Sequence, residues 1–138
     1  MSCESGGYSD VHLLLDTHAL LWHASDDVQL PPGAKAAIED PANVIFVSAA
    51  SAWEIATKTR LGKLIGGRLA MAFVAAVREQ GYHVLSVSAQ DAQDAGSLPG
   101  PHGDPFDRML AAQALSRGLT LVSNDAVLDR FGVVRLWT

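Results

Sequence analysis

Four carboxylates carry the pattern in this chain that could do chemistry. Asp16 ends the apolar run VHLLLD, and Asp125 follows LTLVSN, so each stands where a buried strand would stop. Glu54 and Asp107 lie just inside two helix-start signals, SAASAWE and DPFD. Strand tips in a parallel sheet share a direction, and open α/β sheets bind their ligands at that edge. Four such groups about 6 Å apart, at an effective dielectric near 20, repel by roughly 3 kcal/mol per pair. A cluster of this kind needs a divalent cation, a protonated member or a cationic partner. Oxygen donors without a cysteine among them suit Mg²⁺ or Mn²⁺. The natural chemistry of such an ion is phosphodiester hydrolysis, in which it activates water and offsets charge on the in-line transition state.

Each acid also has a structural explanation. Asp16, Asp104 and Asp125 can cap helices, while Glu54 and Asp107 occupy third positions of capping patterns. Capping alone does not explain why a strand-then-acid junction occurs twice, at Asp16 and at Asp125. Asp104 is extra to the four and is read as a cap that supports the site. Asp16 could instead serve a phosphatase as nucleophile, but DTHAL has no second acid two residues on. A dinucleotide fold is weaker still, because no GxGxxG or phosphate-loop pattern follows the first strand.

The elements that must position these groups alternate. Apolar runs at 11–15, 44–47, 83–87 and 119–122 read as strands, and 133–137 as a final edge strand. The first is too uniformly apolar to be half exposed and is expected at the sheet centre. Helices are expected from Asp16 to about residue 24, over 34–39, from Ser48 to about residue 60, over 68–80, after Ser88, and from Asp104 to the Gly118 stop, with another short helix opening at Asp125. Strands alternating with helices predict a three-layer α/β/α sandwich around a mostly parallel sheet. Trp22, Trp53 and Trp137 are expected in the core, as is the stripe Met71, Phe73 and Val77, with a dimer surface as its second reading. His18 and His102 flank the acids and are read as packing or hydrogen-bonding residues.

The chain has 138 residues, 49% of them hydrophobic and 18% charged, which fits one globular domain over 11–138 behind a flexible Ser/Gly-rich leader over 1–10. One cysteine, Cys3, excludes an internal disulfide. The absence of a long apolar run or a signal-peptide pattern leads to an expectation of a cytoplasmic protein without a membrane anchor. A net charge of −5 argues against nonspecific nucleic-acid binding by charge alone, so a polyanionic substrate would need a local basic strip. Lys58, Arg60 and Lys63, with Arg68 beyond them, are the candidates for a phosphate-facing strip, and the alternative is a solvated helix end.

LLLDTHALLW, SAWEIATK, HGDPFDRMLAAQA and LVSNDAVL closely resemble, in order and spacing, the four sequence blocks of PIN-domain ribonucleases, and specifically of the VapC toxins of type II toxin-antitoxin pairs. The resemblance spans nearly the whole chain after residue 10. It implies a PIN-like α/β/α sandwich and a Mg²⁺-dependent endoribonuclease, with Mn²⁺ as an alternative ion. Asp16, Glu54, Asp107 and Asp125 would form the acidic quartet. Asp16 and Asp107 would ligate the metal directly, and Glu54 and Asp125 would act through water, orient the nucleophile or hold a second ion. Ser123 matches a position that supports such sites. The resemblance further implies an RNA substrate, a homodimer, and a cognate VapB-type antitoxin whose C-terminal segment lies in a groove and sends a basic side chain into the acids. The rival reading is a non-catalytic PIN-like module that binds RNA or protein.

Overall fold

A computed structural model describes residues 10–138, so the leader assigned to 1–10, apart from Asp10, lies outside the described residues. The chain runs β1 (His12–Leu15), α1 (Thr17–Ala24), α2 (Pro32–Glu39), β2 (Val44–Ser48), α3 (Ala49–Arg60), α4 (Gly67–Met71), α5 (Phe73–Glu79) and β3 (His83–Leu85). It continues through α6 (Ala89–Ser97), α7 (Pro105–Arg117), β4 (Thr120–Val122), a 3₁₀ helix (Ala126–Phe131) and β5 (Arg135–Leu136).

The five strands form one sheet in the order β3-β2-β1-β4-β5, and every pairing is parallel. β1 lies at the centre, paired with β2 through Leu15↔Val47 and with β4 through Leu15↔Val122. Its Leu13, Leu14 and Leu15 are fully buried, because a central parallel strand is covered on both faces. The alternation of side chains splits the core into two layers. Leu13 and Leu15 join Leu20, Ile38, Val47, Ile55, Phe73 and Val77 on one face. Leu14 joins Leu110, Ala111, Ala114, Leu121 and Leu128 on the other.

The order in which strands are added reverses at β1, outward through β2 and β3 on one side and through β4 and β5 on the other. This makes the C-terminal tips of β1 and β4 the switch point where α/β sheets leave a crevice. Asp16 follows one tip and Ser123 the other, and the amide of Asp16 donates to the carbonyl of Val122 at 3.0 Å.

Several expectations need correction. The third strand is shorter than 83–87, and the helix expected over 68–80 is two, broken at Ala72 with φ −146° and ψ 58°. Nothing in the sequence marks that break. Phe73 and Val77 are buried as expected, but Met71 on the preceding short helix is 88% exposed and is not core. Trp22 and Trp137 are partly buried with their rings 5.8 Å apart. Trp53 is 66% exposed, because α3 turns Ala50, Ser51, Glu54 and Ile55 inward and leaves Trp53 on the open side.

Candidate active site

The site is assembled from helix caps at the sheet edge. Asp16 is the N-cap of α1, accepting from the Ala19 amide at 2.7 Å through Oδ1. Asp125 caps the 3₁₀ helix, accepting from the Val127 amide at 3.0 Å through Oδ1. Asp104 caps α7 through the amides of Phe106 and Asp107, at 2.9 and 3.1 Å, and thereby sets Asp107 in the first turn. Three of the five acids are therefore helix caps. Asp107 instead stands in the first turn of α7, and Glu54 lies in the second turn of α3, which Ser48 caps, and not at the third capping position expected for it. Asp16 and Asp125 each commit one oxygen to a helix start and retain a second for other partners.

Asp16, Glu54, Asp104, Asp107 and Asp125 line one cavity of about 400 Å³, together with Thr17, His18, Lys58 and Asn124. All four acids singled out in the sequence are thus brought together, with Asp104 beside them. Ser123, fully buried, does not line the cavity but underpins it. Its side chain hydrogen-bonds to Asp16, and its Oγ accepts from the Asp125 amide at 3.1 Å. Glu54 is buried on α3 with both oxygens engaged: the Thr17 hydroxyl donates to Oε1 at 2.5 Å, and the Lys58 ammonium donates to Oε2 one turn along the helix. The Thr17 hydroxyl also lies 3.0 Å from that of Ser51.

Of the basic candidates, Lys58 faces the acids. Arg60 and Lys63 are exposed and are not among the residues lining this cavity, and Lys63 lines a different one. His102, read from sequence as a packing or hydrogen-bonding residue, is both, and it makes its hydrogen bond within the acid cluster while its ring packs on Phe131. Its Nε2 is 3.0 Å from Asp107 Oδ2 and 3.4 Å from Asp125 Oδ2. Thr17 and Asn124 were missed. Both immediately adjoin residues flagged in the sequence, and adjacency to a strand-tip acid is the signal that could have found them.

The electrostatics match the charge count. Burial raises the carboxyl of Asp16, against opposing hydrogen bonds from Ser123 and the Ala19 amide. Burial also pushes Asp107 up to about 6, reinforced by the charge of Asp104 and opposed by the His102 hydrogen bond. In both groups desolvation outweighs the neighbouring imidazoles and hydrogen bonds, which act to lower the carboxyl. Five acids share the cavity with one lysine, and the donors are mostly oxygens with two imidazoles nearby, His18 in the lining and His102 against Asp107 and Asp125, a set that fits a divalent ion. His102, Asp107 and Asp125 each offer a ligand atom, and the three atoms lie within 4.8 Å of one another.

The fold and the site define an α/β protein with an acidic edge, and the chain belongs to the PIN domain family, whose model matches residues 13–134. Among curated proteins it is 30% identical over 116 residues to ribonuclease VapC22 of Mycobacterium tuberculosis, covering 82% of this chain and 86% of that one. Among solved structures it is similar to M. tuberculosis VapC20, described as a sarcin-ricin-loop-cleaving toxin, with a TM-score of 0.67 at 19% identity over 91% of this chain and 99% of that one. It is also similar to a chain of Rickettsia felis VapBC2 bound to a promoter DNA fragment, with a TM-score of 0.66 at 15% identity over 93% and 100% of the two chains. Both structural likenesses are of fold. Among the described residues, no helix is long and apolar enough to cross a membrane.

Proposed function

We propose that this protein is a metal-dependent endoribonuclease that acts as the toxin of a toxin-antitoxin pair, with Asp16, Glu54, Asp107 and Asp125 as its acidic quartet. The observation that carries the reading is the shared cavity: four acids separated by up to 109 residues of sequence line one hollow at the switch point of a parallel sheet. Family membership and the VapC22 likeness support ribonuclease activity as its chemistry.

Asp16 and Asp107 would hold the ion, with Asp125 as a further carboxylate ligand, and Mg²⁺ or Mn²⁺ is the ion their oxygens suit. When bound, it supplies a hydroxide-like nucleophile and offsets charge on the in-line phosphorane-like transition state. Glu54, tied to Thr17 and Lys58, keeps a fixed orientation from which it accepts a hydrogen bond from the attacking water. Lys58 is one-third exposed at the rim and meets the scissile phosphate. Ser123 holds Asp16 and the Asp125 backbone in register.

The partners follow from two further surfaces. A groove of about 730 Å³ between α1 and the 62–69 segment, with Leu21, Trp22, Leu64 and Ile65 in its walls, suits an antitoxin segment that also reaches the acids, because His18 lines both hollows. An apolar hollow of about 440 Å³ formed by Trp53, Val87, Ala92, Phe106 and Met109 suits a second copy of the chain, and we assign the homodimer contact to it. A cytoplasmic location accords with an RNA substrate.

The test is cleavage of a labelled RNA by purified protein. With Mn²⁺ or Mg²⁺ the wild type cuts and Asp107→Asn loses at least about a thousandfold, as expected when a ligand to a catalytic ion is removed. Equal behaviour of the two proteins would leave only the non-catalytic binding module.

A further inference from the structure

His102 sits in the loop that precedes α7, outside the acidic quartet, yet its ring nitrogen is directed between two of the four acids. Nε2 lies 3.0 Å from Asp107 Oδ2 and 3.4 Å from Asp125 Oδ2. Without an ion this is a hydrogen bond from Nε2–H to Asp107. Neighbouring ligand atoms in an octahedral shell with ligands about 2.1 Å from the ion are also roughly 3 Å apart. The ligand atoms of His102, Asp107 and Asp125 lie within 4.8 Å of one another, so the deprotonated nitrogen could join the two carboxylates around one ion.

The ring is also held in place. Arg108, the residue after Asp107, gathers the loop by donating to the carbonyl of His102 at 2.8 Å, of Ala95 at 2.9 Å and of Leu98. Its guanidinium lies over the Phe131 ring at 5.5 Å, and Phe131 in turn packs against the imidazole with centroids 6.2 Å apart. The imidazole, the two carboxylates and the arginine that fixes the loop therefore form one built unit.

We propose that His102 is an imidazole ligand of the ion held by Asp107 and Asp125, and that it biases the site toward Mn²⁺ over Mg²⁺. The inference rests on the metal-dependent reading of the acid cluster. Nitrogen donors strengthen binding of first-row transition ions, whereas Mg²⁺ favours oxygen and retains its waters. Arg108 is a positioning residue in this scheme.

Electron spin-echo spectroscopy and calorimetric titration of the purified full-length chain with MnCl₂ and MgCl₂ test it without any RNA. The wild type should show ¹⁴N modulation on bound Mn²⁺, retained in His18→Gln and lost in His102→Gln. His102→Gln should bind Mn²⁺ about tenfold more weakly and Mg²⁺ less than about threefold more weakly. Arg108→Lys should keep the modulation with reduced amplitude. Bound Mn²⁺ without ¹⁴N modulation in the wild type, or modulation that survives in His102→Gln, overturns the proposal and leaves the acidic metal site standing. Binding of Mn²⁺ to Asp107→Asn with wild-type affinity overturns the metal site itself. The wild-type spectrum decides the matter even if His102→Gln does not fold.

Discussion

At the scale of single residues, this protein places its candidate chemistry on groups that its fold would be steadier without. Asp107 has its carboxyl pushed up to about 6, chiefly by burial. An acid whose folded value is raised binds its proton more tightly folded than unfolded, so stability falls as pH rises between the unfolded value near 4 and 6. Above that window its charge is a standing cost. Asp107→Asn should therefore stabilise the metal-free protein by about 1–3 kcal/mol at pH 7 in urea titrations with chelator, with the gain disappearing below about pH 4. The same substitution should abolish cleavage. Lower stability together with lost cleavage would make Asp107 structural instead. The strand-tip acids were legible because an apolar run that stops at a carboxylate survives any detail of packing. His102 was not, since its place in the site depends on Arg108 closing an irregular loop over it, a tertiary fact that no local spacing encodes.

Individual elements show how tightly the scaffold is specified around the site. α6 is anchored to α7 by Asp91, which takes two hydrogen bonds from Arg117 and one from Gln113. The Arg117 contact leads in holding its carboxyl down to about 2. A depressed acid contributes stability above its unfolded value and loses it as pH falls toward the folded one. Asp91→Asn should thus cost roughly 2 kcal/mol at pH 7 and progressively less between pH 4 and 2, measured by denaturant unfolding. At Gly66 the start of α4 crosses α3 so closely that a Cβ would stand 2.5 Å from Thr59 Oγ1 and 2.8 Å from Ile55 Cγ2. Gly66→Ala should cost about 1–3 kcal/mol by overpacking, and a neutral result would show that the two helices can part freely. α3 also explains why Trp53 misled. An amphipathic helix ordinarily turns its largest apolar side chain inward, but here Ser51, Glu54 and Lys58, at helical spacing, claim the face toward the acids. The i, i+4 pair Glu54 and Lys58 was the signal for that orientation.

For the whole molecule, the parallel sheet, its layers, the central place of β1 and the edge place of β5 were legible from alternation and apolar runs. The full strand order was not, because several right-handed arrangements satisfy the same alternation. What covers the outside was not. Trp53 rests edge-on against Phe106, 5.1 Å between centroids and 72° between planes, over an otherwise apolar hollow. An exposed tryptophan packed on a half-buried phenylalanine over an apolar hollow marks an association surface more often than a solvated one. Trp53→Arg should convert a dimer to a monomer in light scattering while leaving the fold intact, and an unchanged mass would place any dimer contact elsewhere. The net charge of −5 would be compatible with an RNA substrate if a divalent ion in the acidic cavity, together with Lys58, offset much of the negative charge at the edge where the phosphate enters. The most direct test of that claim is sequencing of RNA ends in cells after induced expression without a partner protein. Wild type should create new ends at defined sites that Asp16→Ala and Asp107→Asn do not create. Identical RNA ends in all three strains, with the proteins folded and present at equal levels, would contradict it.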